Sequence, residues 1–285
     1  MEILLSPSTQ ATVERIIANP PQGLLLEAPQ GSGKGYLAKY LSLQLLGLGP
    51  KAQTAGKIIT VMPEKGTIGI DAIRGLQADL KLKMTSDHMP NRVIIIEDIA
   101  AMTGEAQNAF LKMLEEPPVG TILLLTAVQR HQVLPTILSR VQILEIHQPT
   151  KEQIAEFYTG KVPKEQVERN YHLSGGRMGL FAALNDQNEE HPLLASITLA
   201  KTLLRQEPYD RLVQLQSVTE RQDVETLLEG LSIVIRAALH GAARQRRQAE
   251  LQRLNDMNAL VMQLQDSLAY TPQTKLLLTH LAINM

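Results

Sequence analysis

The sequence predicts a doubly wound α/β domain followed by an all-helical second half. Three observations predict it. Five short apolar runs alternate with helix-period stretches over residues 1–149, the third and fourth runs are apolar at nearly every position, and no strand-like run recurs after Gln148-Pro149. Strands apolar on both faces mark a parallel sheet covered by helices on each side, and the stretches between the runs are long enough for crossover helices.

In chain order, a helix is expected over 9–18 and a first strand over 23–28. A glycine-rich turn follows, then a helix over 34–46 and a strand over 57–62. The next elements are a helix over 70–83, a strand over 92–96 and a helix over 103–115. Pro117-Pro118 stops that helix, because proline lacks the N–H a helix needs and clashes with the preceding turn. A strand over 121–126, a short helix over 133–138 and a strand over 141–146 complete the five-stranded parallel sheet. Thr150 followed by Gln153 and Ile154 reads as a capping box, which opens the helical half. Ser174-Gly175-Gly176 and the polar stretch 185–191 divide that half, so the expected domains are 1–149, 150–190 and 191–285.

Composition narrows the function classes. A chain of 285 residues with 44% hydrophobic and 20% charged residues can bury a sizeable core and is expected to be soluble and globular. Lys plus Arg (28) nearly cancels Asp plus Glu (29), with 13 against 13 in residues 1–150 and 15 against 16 in 151–285, so neither half is a basic nucleic-acid arm. The absence of cysteine excludes disulfides, thiolate zinc sites and cysteine nucleophiles. Met1 to Ser8 carries Glu2 rather than a basic stretch, and no apolar run is expected to reach membrane-spanning length, so a cytoplasmic protein without a membrane partner is expected.

The first strand runs into Ala28-Pro29-Gln30-Gly31-Ser32-Gly33-Lys34-Gly35. In a P-loop, glycines let backbone N–H groups close on phosphates at a helix N-terminus, a lysine reaches the β and γ oxygens, and the next Ser or Thr holds magnesium. Gly31, Gly33 and Lys34 are retained, whereas Ala28 stands for the first glycine and Gly35 for the hydroxyl residue. Phosphate cradling through Gly31, Ser32, Gly33, Lys34 and Gly35 is one reading; a ligand-free strand-to-helix turn is the other. The strand 92–96 ends in Glu97-Asp98, where P-loop ATPases place an acid for magnesium and often a second for water, but the usual Asp-Glu order is reversed. An acidic pair at a strand end is otherwise a solvated terminus. Ser139-Arg140 before the last strand either projects from the domain edge or caps a helix C-terminus.

Arg92-Val-Ile-Ile-Ile-Glu-Asp98, Asn108-Ala-Phe-Leu-Lys-Met-Leu-Glu-Glu-Pro-Pro118 and Leu134 to Arg140 resemble the AAA+ subunits of bacterial DNA polymerase III clamp loaders. Within that family the chain looks most like the delta-prime branch, and Ile68-Gly-Ile-Asp-Ala-Ile-Arg74 is similar to the segment after that branch's second strand. The motif match covers about residues 20–180 and implies an AAA+ module, a small helical lid and a helical collar that oligomerises. It implies other loader subunits as partners, gamma- or tau-like motors and a delta-like wrench, with the sliding clamp and primer-template DNA reached through the complex. Arg140 is then an arginine finger acting in trans on a neighbour's ATP, and Gly31 to Gly35 with Glu97 and Asp98 a degenerate site for ATP or ADP, with magnesium doubtful.

The departures point the same way. The connector 48–57 has no cysteines, so the zinc unit of many such modules is not expected, and no metal site is assigned. Gly179 stands where the lid arginine of the family's motors would align, with Arg177 two residues away. The reading is a stator with weak or no ATPase of its own. Its rivals are an active gamma-like motor, in which Lys34, Glu97 and Asp98 hydrolyse ATP, and a P-loop small-molecule kinase. No metal-ligand pattern joins the seven histidines, and no Gly-x-Ser-x-Gly elbow occurs. The Arg244, Arg246, Arg247 and Arg253 group is a solvated face, a collar contact or a phosphate contact. The scarcity of aromatics argues against single-strand binding by stacking.

Overall fold

The computed structural model describes residues 2–54, 56–64, 66–80, 90–186, 191–268 and 273–285, and the chain forms two compact units, Met1–Gln153 and Ile154–Met285. In the first, helix α1 (Pro7–Ala18) starts at Ser6, whose hydroxyl accepts from the Thr9 N–H. It leads to β1 (Gly23–Glu27), α2 (Lys34–Leu45), β2 (Ile58–Val61), α3 (Ile70–Leu80), β3 (Arg92–Ile96), α4 (Gly104–Glu115), β4 (Thr121–Ala127), α5 (Pro135–Leu138) and β5 (Gln142–Glu145). All five expected strands are present. The part of the expected third helix beyond Leu80, residues 81–83, lies outside the described residues.

The strands pair in parallel in the order β2-β3-β4-β1-β5. β3 and β4 are interior and wholly buried, which is why their sequences carry no polar alternation. Side chains alternate across the sheet. Leu25, Ile94, Ile96, Leu123 and Leu125 enter one core layer with Ile73 of α3 and Phe110 of α4. Leu24, Leu26, Val93, Ile95 and Leu124 enter the other with Ile16 of α1 and Leu41 of α2. The sheet therefore presents the carboxyl ends of β1, β3 and β4 along one edge, where open α/β sheets bind ligands.

The capping box forms as read: the Thr150 N–H donates to Gln153 Oε1 at 2.8 Å, and the Gln153 N–H donates to Thr150 Oγ1 at 3.3 Å. It starts α6 (Lys151–Phe157), and the second unit continues through α7 (Lys164–Ser174), α8 (Met178–Asp186), α9 (Pro192–Leu203), α10 (Pro208–Leu215), α11 (Arg221–Arg244), α12 (Gln248–Leu268) and α13 (Thr274–Asn284). No strand occurs in this unit among the described residues, and the break expected over 185–191 falls partly on 187–190, outside them.

Helix α11 corrects one expectation, because by length and composition it could span a bilayer. Half of its apolar window is buried within the unit, where Val224, Leu227, Leu228 and Leu231 join Ile197 of α9 and Val261 of α12 in one core. Arg211 of α10 is buried in the same unit, its guanidinium donating to the carbonyl oxygens of Leu203, Ala282 and Met285.

Candidate functional site

The loop between β1 and α2 bends at Gly31 and Gly33, whose φ angles of 81° and 88° lie in the left-handed region that glycine enters without a Cβ clash. Gly33 is also the N-cap of α2, with no side-chain cap, so the N–H groups of the first turn face the loop. Lys34 turns back on this loop. Its ammonium donates to the Ala28 carbonyl at 2.6 Å and to the Pro29 carbonyl at 3.2 Å. Ser32 is buried, and its hydroxyl accepts from the Gln148 amide at 2.8 Å, which ties the loop to the segment after β5.

Glu97 follows β3 and comes up against the loop. A methyl group built on Gly35 would stand 3.1 Å from Glu97 Oε1. The Glu97 carboxyl is raised above its ordinary value, first because burial disfavours the charged form; the neighbouring Lys34 charge offsets part of this. Asp98 departs from the strand with φ 52°, a conformation uncommon for a residue with a side chain, and its N–H donates to Thr126 Oγ1 of β4 at 2.9 Å. Beside the loop, Arg130 bridges Glu27 at the end of β1 and Glu145 at the end of β5.

Gly31, Ser32, Gly33, Lys34, Gly35 and Glu97 are thus brought together, with Asp98 adjoining them. A phosphate group fits this cradle: two left-handed glycines, a helix N-terminus and an ammonium converge. Magnesium fits it less well. Gly35 offers no hydroxyl, and a side chain there would crowd the Glu97 carboxylate.

Arg140 lies elsewhere. Its turn follows α5 and packs on Gly23, the first residue of β1: a methyl built on Gly23 would lie 2.9 Å from Val141 Cγ1 and 3.4 Å from the Arg140 carbonyl oxygen. The loop begins at the opposite end of β1, about 13 Å away along four strand steps of ~3.3 Å. The guanidinium is partly exposed and donates through Nη1 to Thr136 O and Ser139 Oγ, and through Nη2 to Glu115 Oε1 at 2.7 Å. In the second unit, Arg177 is buried and pairs with Glu229 of α11, and Gly179 lies in the first turn of α8.

Sequence reading singled out neither Gln148, Thr126, Glu115 nor Glu229. Glu115 stood inside the quoted Glu-Glu-Pro-Pro string, but its partner is 25 residues further along the chain and only folding pairs them.

A family model described as DNA polymerase III, delta subunit, matches residues 13–150. The chain is 27% identical to DNA polymerase III subunit delta′ of Escherichia coli over 84% of this chain and 78% of the relative. It is 30% identical to subunit delta′ of Pseudomonas aeruginosa over 64% of this chain and 61% of the relative. Among solved structures, a DNA polymerase III gamma subunit-related protein from Thermotoga maritima superposes over 96% of this chain and 97% of its own length, with a TM-score of 0.52 at 19% identity, a likeness of fold.

Proposed function

The chain is a delta-prime-like relative of the bacterial DNA polymerase III clamp-loader subunits, with an AAA+ P-loop domain and a helical carboxy-terminal part, and on that footing we propose that it is a stator. It assembles with gamma- or tau-like motors and a delta-like subunit, and it works on the sliding clamp and primer-template DNA through that complex. Residues 1–149 are the AAA+ domain, 150–190 the lid and 191–285 the collar. Arg140 acts as an arginine finger on the ATP of a neighbouring motor.

The observation that carries this reading is the separation of Arg140 from the chain's own loop by the length of β1, with its guanidinium at the surface. A finger so placed serves another subunit's phosphate rather than its own. Two features of the chain's own loop weigh against turnover there: Gly35 lacks the magnesium hydroxyl, and burial raises the Glu97 carboxyl. ATP or ADP is held, if weakly, by Gly31, Ser32, Gly33, Lys34 and Gly35, without a firm magnesium site. Arginine fingers supply about 10³ to 10⁵ in rate.

The test is clamp- and DNA-stimulated ATPase of the complex reconstituted with its motor subunits. Arg140→Ala is expected to lower the rate at the dependent motor site by at least about tenfold with assembly intact, while Lys34→Ala leaves it within about twofold. An unchanged rate in Arg140→Ala refutes the finger. Strong loss in Lys34→Ala would instead favour the active-motor reading.

A further inference from the structure

From the contacts around the guanidinium we infer that Glu115 is a positioning residue for Arg140, holding it as a splinted fork for a phosphate. The inference rests on the finger reading above and adds to it a residue, a geometry and a donor set.

A guanidinium has five N–H donors in one plane. In this chain Nη1 donates to Thr136 O at 2.8 Å and to Ser139 Oγ at 3.1 Å. Nη2 donates to Glu115 Oε1 at 2.7 Å. Nε donates to no acceptor among the described residues, and its hydrogen lies on the same side of the group as one Nη2 hydrogen, the edge that takes two phosphate oxygens. A free arginine side chain would have to lose its rotamer freedom to present that edge, whereas this one is already oriented.

The splint is built from three places in the sequence. Glu115 ends α4, Thr136 and Ser139 belong to α5 and its cap, and Gly23 supplies the floor, because any side chain there would collide with Val141 and crowd the Arg140 carbonyl. Ser139 Oγ is itself fixed by donating to Thr136 O at 3.0 Å. The Glu115–Arg140 pair is half exposed, so it contributes little to stability.

The experiment measures kcat and KM for ATP in the reconstituted complex. Glu115→Ala is expected to lower kcat about fivefold, about 1 kcal/mol of activation free energy, with KM unchanged within twofold, because orientation of the finger matters most to charge developing in the transition state. Glu115→Gln, which keeps the oxygen acceptor, recovers most of the rate. In an Arg140→Ala background, Glu115→Ala adds nothing. Should Glu115→Ala not assemble, Ser139→Ala removes another member of the splint, with an expected loss of about two- to threefold that likewise vanishes in the Arg140→Ala background. A Glu115→Ala rate that is unchanged, faster or additive with Arg140→Ala overturns the inference. If Arg140→Ala lowers the rate while the Glu115 variants are silent, only the positioning role fails; if Arg140→Ala is also silent, the finger reading fails with it.

Discussion

Burial beside the nucleotide loop raises the Glu97 carboxyl above its ordinary value, and the Lys34 ammonium offsets only part of that penalty. Because the folded protein holds this proton more tightly than the unfolded chain, the group's contribution is most favourable below the unfolded value near 4.5 and is lost as pH rises through the higher folded value. Glu97→Gln removes the ionisable group and keeps the shape. It is expected to raise the melting temperature at pH 7 relative to the native chain and to change it less at pH 4. Equal shifts at both values would mean that burial of the charge is not what raises the carboxyl. The same residue crowds the loop, since a side chain at Gly35 would require its carboxylate to give way slightly.

At the scale of elements, α9 and α11 pack closest where α11 has glycine. A methyl group built on Gly230 would fall 2.5 Å from Ser196 Oγ and 2.9 Å from the Ser196 carbonyl carbon and oxygen, which are backbone and cannot rotate away. Gly230→Ala improves intrinsic helix propensity by about 1 kcal/mol yet must push two core helices apart. The expected net result is a loss of about 1–3 kcal/mol in denaturant unfolding, as for overpacked cores. A stabilised variant would show that the two helices separate at little cost. The apolar run around this glycine marks a buried helix but does not disclose the contact, because Ser196 lies 34 residues earlier in the chain. The capping box at Thr150 and Gln153, by contrast, is local enough to be read directly from spacing, and both of its hydrogen bonds form.

For the whole molecule, a ligand that binds only the folded state raises the melting temperature, by an amount that grows with the logarithm of its concentration over its Kd. The loop offers glycine turns, a helix N-terminus and Lys34 but no hydroxyl at residue 35. ADP at millimolar concentration is therefore expected to stabilise the chain by a few degrees with or without magnesium, and Lys34→Ala to abolish the shift. Stabilisation that requires magnesium would mean that Glu97 and Asp98 assemble a metal site after all. Stabilisation that survives Lys34→Ala would place the nucleotide elsewhere.

The five strands, their parallel arrangement and the helical second half were legible in residue order, because hydrophobic period and turn chemistry act over a few neighbours and leave their pattern in the chain. The same holds for the loop from Gly31 to Gly35 and for its two defects, since a phosphate cradle is contiguous. What could not be read was where the side chains turn: Lys34 closing on the Ala28 carbonyl within its own loop and, between distant residues, Asp98 held by Thr126, Arg177 engaged by Glu229 and Arg140 paired with Glu115. Local rules write secondary structure into the sequence, whereas the direction of a side chain depends on which strand ends and helix ends the sheet order brings side by side. That order sets Arg140 and the loop at opposite ends of β1.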